Sequence, residues 1–148
     1  QGNIYVAGSQ FIATGTVKTK GQTTPTGYYA WVTRKSSDGG NAWSTLDTFT
    51  FAPNTGSYGA IGIGRNAAGN VVVVGTSNDG QNKGHWIVRT PGLSGAWQTV
   101  DDFQLAPGYS ASATGVATDA AGNLLVTGHA QDATGDHWIV RRLAALTP

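Results

Sequence analysis

The chain has no cysteine and no methionine, and its eight acidic residues are all aspartate, so glutamate is absent as well. Without thiols there is no disulfide framework, no thiolate metal site and no cysteine nucleophile. Charged residues make up 11% of the sequence, well below the roughly 25% of ordinary domains. Nine Lys and Arg against eight Asp leave a net charge of +1, with the basic residues scattered and Arg34-Lys35 and Arg141-Arg142 as the closest pairs. Nucleic-acid binding needs a basic stripe to neutralise phosphates, and none is present. Apolar runs such as Val71 to Val74 are far short of the ~20 residues that cross a bilayer. No signal-peptide pattern opens the chain, and with Gln1 in place of a Met the sequence reads as processed, trimmed or a fragment.

What is abundant points one way. There are 22 Gly among 148 residues, with Thr, Val, Asn and Trp in place of the Glu, Leu and Met on which helices draw. Many short strands joined by tight turns are expected, and a helical fold is not.

Internal repetition organises these strands. Gly-Asn followed by an apolar run occurs as Gly2-Asn3-Ile4-Tyr5-Val6, Gly69-Asn70-Val71-Val72-Val73 and Gly122-Asn123-Leu124-Leu125-Val126. A Trp with Arg three residues on recurs as Trp31 to Arg34, Trp86 to Arg89 and Trp138 to Arg141. A Trp-x-Thr-x-Asp-x-Phe segment appears as Trp43 to Phe49 and Trp97 to Phe103. Each is followed by a Gly-containing strand, Ala60-Ile61-Gly62-Ile63 and Thr114-Gly115-Val116-Ala117. Asn70 and Asn123 are 53 residues apart but Asn3 and Asn70 are 67 apart, and the excess falls before Trp31, so 9–28 reads as a loop insertion.

Each period therefore holds four short strands, the content of one β-propeller blade. Alternation places Trp86 and Val88 on one face of their strand and His85, Ile87 and Arg89 on the other. Apolar residues on both faces suit a blade packed between neighbours. The expected fold is all-β, propeller blades of four antiparallel strands, about two and a half of them: a first partial blade over 1–59, a complete blade over 60–112 and a last partial blade over 113–148. In that frame an innermost strand is missing at the beginning and a rim strand at the end. Closed propellers need ~4–8 blades, so completion by other copies or by the rest of a longer propeller is expected.

Ser36-Ser37-Asp38-Gly39-Gly40-Asn41-Ala42-Trp43 resembles the Asp-box, the Ser-x-Asp-x-Gly-x-Thr-Trp signature of the BNR-repeat, sialidase-like β-propellers, with Ala42 where Thr is usual. The resemblance implies that the box forms the turn between the third and fourth strands of a blade, on the face opposite the usual binding site. Ser36, Asp38, Gly40 and Trp43 then have a structural duty: side-chain oxygens bonding the turn, glycine at positive φ, and Trp packing beneath. The next repeat, Thr90 to Trp97, keeps only the Trp and the small residue before it.

Sialidase-type hydrolysis, which the resemblance brings with it, uses an Arg clamp, a Tyr nucleophile assisted by Glu, and an Asp acid/base. Without Glu that Tyr-Glu pair cannot be assembled within this chain. Arg34, Arg89 and Arg141 recur at one position of every repeat, which fits a cross-strand ion pair with Asp47 or Asp101 inside each blade better than a clamp. His85 and His137 are repeat equivalents and read as packing beside Trp; with His129 they show no spacing that predicts a zinc site, and the loops at Asp79 and Asp132 lack the order of a calcium loop.

No metal, cofactor or catalytic residue is expected. The one ligand class with support is a glycan, taken on loops carrying Tyr28, Tyr29, Tyr58, Asn78, Asp79, Asn82, Tyr109 and Asp132, all of which are also ordinary turn formers. The expected protein is a secreted, bacterial-type, non-catalytic binding or assembly module that associates with itself or with other propeller segments. The alternatives are a fragment of a sialidase-like hydrolase with catalytic residues elsewhere, and a purely structural filament or surface component.

Overall fold

The computed structural model describes residues 2–52 and 59–145, all of them strand, turn or connection. The strands are β1 (Ile4–Thr19), β2 (Gln22–Ser36), β3 (Ser44–Phe49), β4 (Gly59–Arg65), β5 (Val71–Asn78), β6 (Gly84–Pro91), β7 (Trp97–Phe103), β8 (Ala111–Thr118), β9 (Leu124–Asp132) and β10 (Gly135–Leu143). They form three antiparallel sheets: a first of β1-β2-β3, a second of β4-β5-β6-β7 and a third of β8-β9-β10. The all-β expectation and the order of strands within each repeat are therefore observed. No helix long and apolar enough to cross a membrane occurs among the described residues.

Two of the three Gly-Asn landmarks, Gly69-Asn70 and Gly122-Asn123, lie in hairpin turns. Between β4 and β5 the Asn66 N–H donates to Asn70 O at 2.9 Å and the Gly69 N–H to Asn66 O at 2.9 Å. Between β8 and β9 the same bonds join Asp119, Gly122 and Asn123. Gly69 and Gly122 sit at φ 80° and 84°, the left-handed position that closes a turn with a glycine bulge.

The segment 9–28 is not an irregular loop. β1 and β2 stay in antiparallel register out to Thr19 opposite Gln22, with one bulge between Ala13 and Gly15, and turn through Lys20 and Gly21 at φ 48° and 81°. Paired positive-φ residues make a two-residue hairpin turn whose twist matches its strands. The ribbon beyond the first sheet is exposed along nearly all its length, so it carries none of the apolar alternation that marks a half-buried strand.

The core lies on both faces of the second sheet. Val71, Val73 and Ile87 meet Trp31 of the first sheet, with Tyr5, Ala7 and Phe49 packed around them. Val72, Val74, Trp86 and Val88 meet Ala111, Ala113, Leu124, Val126 and Ala130 of the third. Every residue of β5 is buried, which explains why Val71 to Val74 reads as an unbroken apolar run. Each fully buried Val or Ile contributes roughly 1.5–3 kcal/mol.

Close approach of strands requires glycine at one equivalent position. A Cβ on Gly128 falls 2.0 Å from Ser112 O and 2.6 Å from the Trp86 ring, and one on Gly75 falls 2.2 Å from Gly59 O. Gly128→Ala is therefore expected to destabilise the fold by about 3 kcal/mol, lowering the thermal midpoint on the order of 10 °C for a domain of this size. Gly80, with nothing within 4 Å of its added Cβ, should tolerate alanine unchanged in the same thermal scan.

Candidate functional site

Arg and Asp of the repeats do pair, but across sheets and not within them. Arg89 of the second sheet donates from Nε and Nη2 to the two carboxylate oxygens of Asp47 in the first, at 2.8 and 3.0 Å. Arg141 of the third sheet grips Asp101 of the second at 3.0 and 2.9 Å. The same guanidinium groups lie 4.0 Å over the Phe49 ring and 3.9 Å over the Phe103 ring. A pair within one sheet, the sequence-based expectation, is excluded by a bulge in the pairing of each sheet's last strand: Thr33 faces Asp47 while Arg34 faces Thr45, and Val88 faces Asp101 while Arg89 faces Thr99. Each Asp thus points to the sheet face opposite its own Arg.

The register accounts for most of the Trp-x-Thr-x-Asp-x-Phe landmark. Phe49 and Phe103 meet the Trp of their own sheet edge-on, at 5.7 Å from Trp31 and 5.8 Å from Trp86. Thr99 accepts from Nη1 of its own sheet's Arg89 at 2.9 Å. Asp and Phe together receive the Arg of the following sheet. In return Trp31 reaches forward, its indole N–H donating to Thr76 O of the second sheet at 2.8 Å.

At the ends this joint is incomplete. Arg34 is exposed, bonds Gln10 Oε1 at 3.0 Å, and has no carboxylate partner among the described residues. Trp31 is 1% exposed and Trp86 0%, whereas Trp138, their equivalent, is 76% exposed. Ile4 and Val6 are likewise exposed on the outer face of the first sheet, as is Val140 on that of the third.

The Asp38 turn has the internal bonding that its sequence implies. Ser36 Oγ donates to Asp38 Oδ1 at 2.7 Å and accepts the Gly40 N–H at 2.8 Å. Asp38 Oδ1 also accepts the Ala42 N–H at 3.0 Å, and Gly39 and Gly40 stand at φ 78° and 99°. The bond at position 42 uses the main chain, so Ala in place of Thr costs the turn nothing there. Trp43 packs against the turn while remaining 40% exposed, and its indole N–H donates to Gly40 O at 2.9 Å.

The loop residues expected to bind ligand are largely occupied by their own turns. Asp79 Oδ1 accepts the N–H groups of Gln81 and Lys83, both at 2.8 Å, while Asn82, at φ 60°, accepts from Asn78 at 2.7 Å. Asp132 accepts the N–H and hydroxyl of Thr134 at 2.7 and 2.6 Å and meets His137 Nε2 at 3.0 Å. Tyr28 is half-buried and Tyr29 exposed on the hairpin, where Tyr29 meets Phe11 edge-on. Tyr109 is exposed in the β7–β8 connection. Tyr58 lies outside the described residues.

The turns at Asp79 and Asp132 and the β7–β8 connection share one end of the stack. Ser110 joins them, its Oγ accepting the Gly84 N–H and its carbonyl the Gln131 N–H. His85 does not simply pack beside Trp: its Nδ1 is 2.7 Å from Asp102, and its ring stacks on Phe51 at 4.2 Å. A cleft of about 370 Å³ opens here, lined by Ile61, Thr76, Gly84, Ser110, Ser112 and His129. It offers hydroxyls and an imidazole beside an apolar wall; sequence reasoning passed over Ser110 and Ser112 because neither belongs to a recognisable motif, and weighed His129 only as a zinc ligand. No group of three or more metal-ligating side chains occurs among the described residues.

Two predictions follow from these contacts. The side chains of Arg89 and Asp47 are only 9% and 11% exposed, and removing one member of a buried pair strands the other charge, so Asp47→Asn should cost about 3 kcal/mol. Arg34→Gln, at an exposed site, should change stability by less than about 0.5 kcal/mol; denaturant titration of both variants checks the ranking. The second concerns acid. Hydrogen bonds hold four Asp carboxyls below the ordinary 3.8: the Ala42 N–H and Ser36 at Asp38, the Lys83 N–H at Asp79, Asn123 at Asp119, and Thr134 then His137 at Asp132. Because the folded-state values are depressed, the stabilisation is complete above the unfolded value and is lost as pH falls through the folded ones. Urea midpoints should thus be governed by these groups only below about pH 4, and Asp38→Asn should reduce that acid dependence.

No family model matches the chain, and no curated protein matches it significantly.

Proposed function

We propose that the chain is a non-catalytic, extracellular β-propeller segment of the Asp-box kind that serves as an assembly and binding module. Its sheets act as blades, and its two outer faces are covered by further sheets of the same repeat. The observation that carries this reading is the contrast between Trp31 and Trp86, each buried against the following sheet, and Trp138, the equivalent residue, which is 76% exposed. Arg34 is its counterpart at the other end, an arginine at the joint position with no carboxylate to hold among the described residues. Exposed apolar faces rimmed by polar residues mark interaction surfaces, and a sheet face built to be buried is a strong one.

The Asp38 turn supports the Asp-box reading, since its Ser, Asp and Gly bond the turn internally. The absence of Glu from the sequence supports the non-catalytic part of the reading.

Size-exclusion chromatography with light scattering of the full chain is the direct test. Concentration-dependent association is expected, and Trp138→Asp should abolish it while the far-ultraviolet circular dichroism is unchanged. A wild-type chain that stays monomeric at every concentration, with Trp138 fully solvated, overturns the assembly reading.

A further inference from the structure

Building on the assembly reading, we propose that the outer edge of β10 is an acceptor for a further extended strand of the pattern Trp-x-Thr-x-Asp-x-Phe. The first and second sheets show what such an edge takes. The strand beyond β2 is β3 and the strand beyond β6 is β7, and both carry this pattern in the same register: Phe49 opposite Trp31, and Phe103 opposite Trp86. β10 pairs with β9 on one edge and with no strand on the other among the described residues. An edge of this kind presents main-chain donors and acceptors in a row, ready to template a further strand.

Two side chains of β10 are already set for the missing partner. Trp138, 76% exposed, lacks the Phe that meets Trp31 and Trp86 edge-on in the other sheets. Arg141 is held by Asp101 and stacked over Phe103, the pose in which Arg89 is held by Asp47 and Phe49. In Arg89 the remaining Nη1 holds Thr99 of the rim strand; in Arg141 the Nη1 makes no hydrogen bond among the described residues. A strand of the stated pattern places Thr against Arg141, Phe against Trp138 and Asp opposite Val140, with a bulge between Thr and Asp. Its Asp and Phe then face outward, ready for the arginine of a following sheet. A second copy docking through its outer Ile4, Val6 and Arg34 would cover the face of the third sheet but leave the β10 edge unpaired and Arg141 without its Thr. The edge therefore selects a strand, by main-chain pairing plus one aromatic and one hydroxyl contact.

The test uses the full chain and a fluorescein-labelled peptide of its own residues 95–104, Gly-Ala-Trp-Gln-Thr-Val-Asp-Asp-Phe-Gln. Saturable binding by anisotropy is expected, together with slowed amide exchange in β10 and none added in β6. Replacing the peptide's Phe by Ala, or Trp138→Ala in the protein, should weaken binding about tenfold, and a scrambled peptide should not bind. Trp138 is exposed, so its variant keeps the fold and reports on the contact. Equal binding of the scrambled peptide, or protection in β6 in place of β10, overturns the proposal. Failure of the peptide while the chain self-associates through Trp138 overturns the strand acceptor and leaves the assembly reading standing; failure of both removes both.

Discussion

A sheet that is apolar on both faces has to be covered on both, and in this chain the covering is done by one joint used twice. An arginine from one sheet reaches back to an aspartate and a phenylalanine of the preceding sheet, while that sheet packs a tryptophan forward. The geometry of the joint depends on features that have no chemistry of their own. Bulges at Leu46 and Val100 turn each aspartate to the face away from its own sheet's arginine. Gly75 and Gly128 let neighbouring strands and the Trp86 ring come closer than any side chain permits. Guanidinium, carboxylate and ring are largely withdrawn from solvent, where two parallel N–H donors on one carboxylate give direction as well as attraction.

The low charge content fits this arrangement. Asp38, Asp79, Asp119 and Asp132 each accept bonds within their own turn, and Asp47 and Asp101 each receive an arginine from the next sheet. Asp102 is taken by His85. Among the described residues, only Asp136 of the eight acids has no such bond. Asp suits these positions better than Glu because its short side chain reaches main-chain donors two to four residues on.

The strand order of each sheet was legible because local features carry it: Gly-Asn turns, β-branched runs and the recurring Trp and Arg. The Asp38 turn was legible for the same reason, since every bond in it lies within a few residues. The hairpin over 9–28 was missed because a ribbon wet on both faces shows no alternation, although Lys20-Gly21 between Thr-rich segments is a turn signal. Residue type alone could not show that Asp79 and Asp132 already accept N–H groups of their own turns, or that Asn82 accepts from the Asn78 side chain.

By itself the sequence determined the all-β class, the repeat and its strands, and the equivalence of Arg34, Arg89 and Arg141, because these follow from spacing and backbone preference along one stretch of chain. Only the tertiary structure decided which aspartate each arginine meets. One extra residue in a sheet's last strand inverts the facing of the side chains beyond it, and the partner then lies in a different sheet, a relation that no spacing within a single repeat contains.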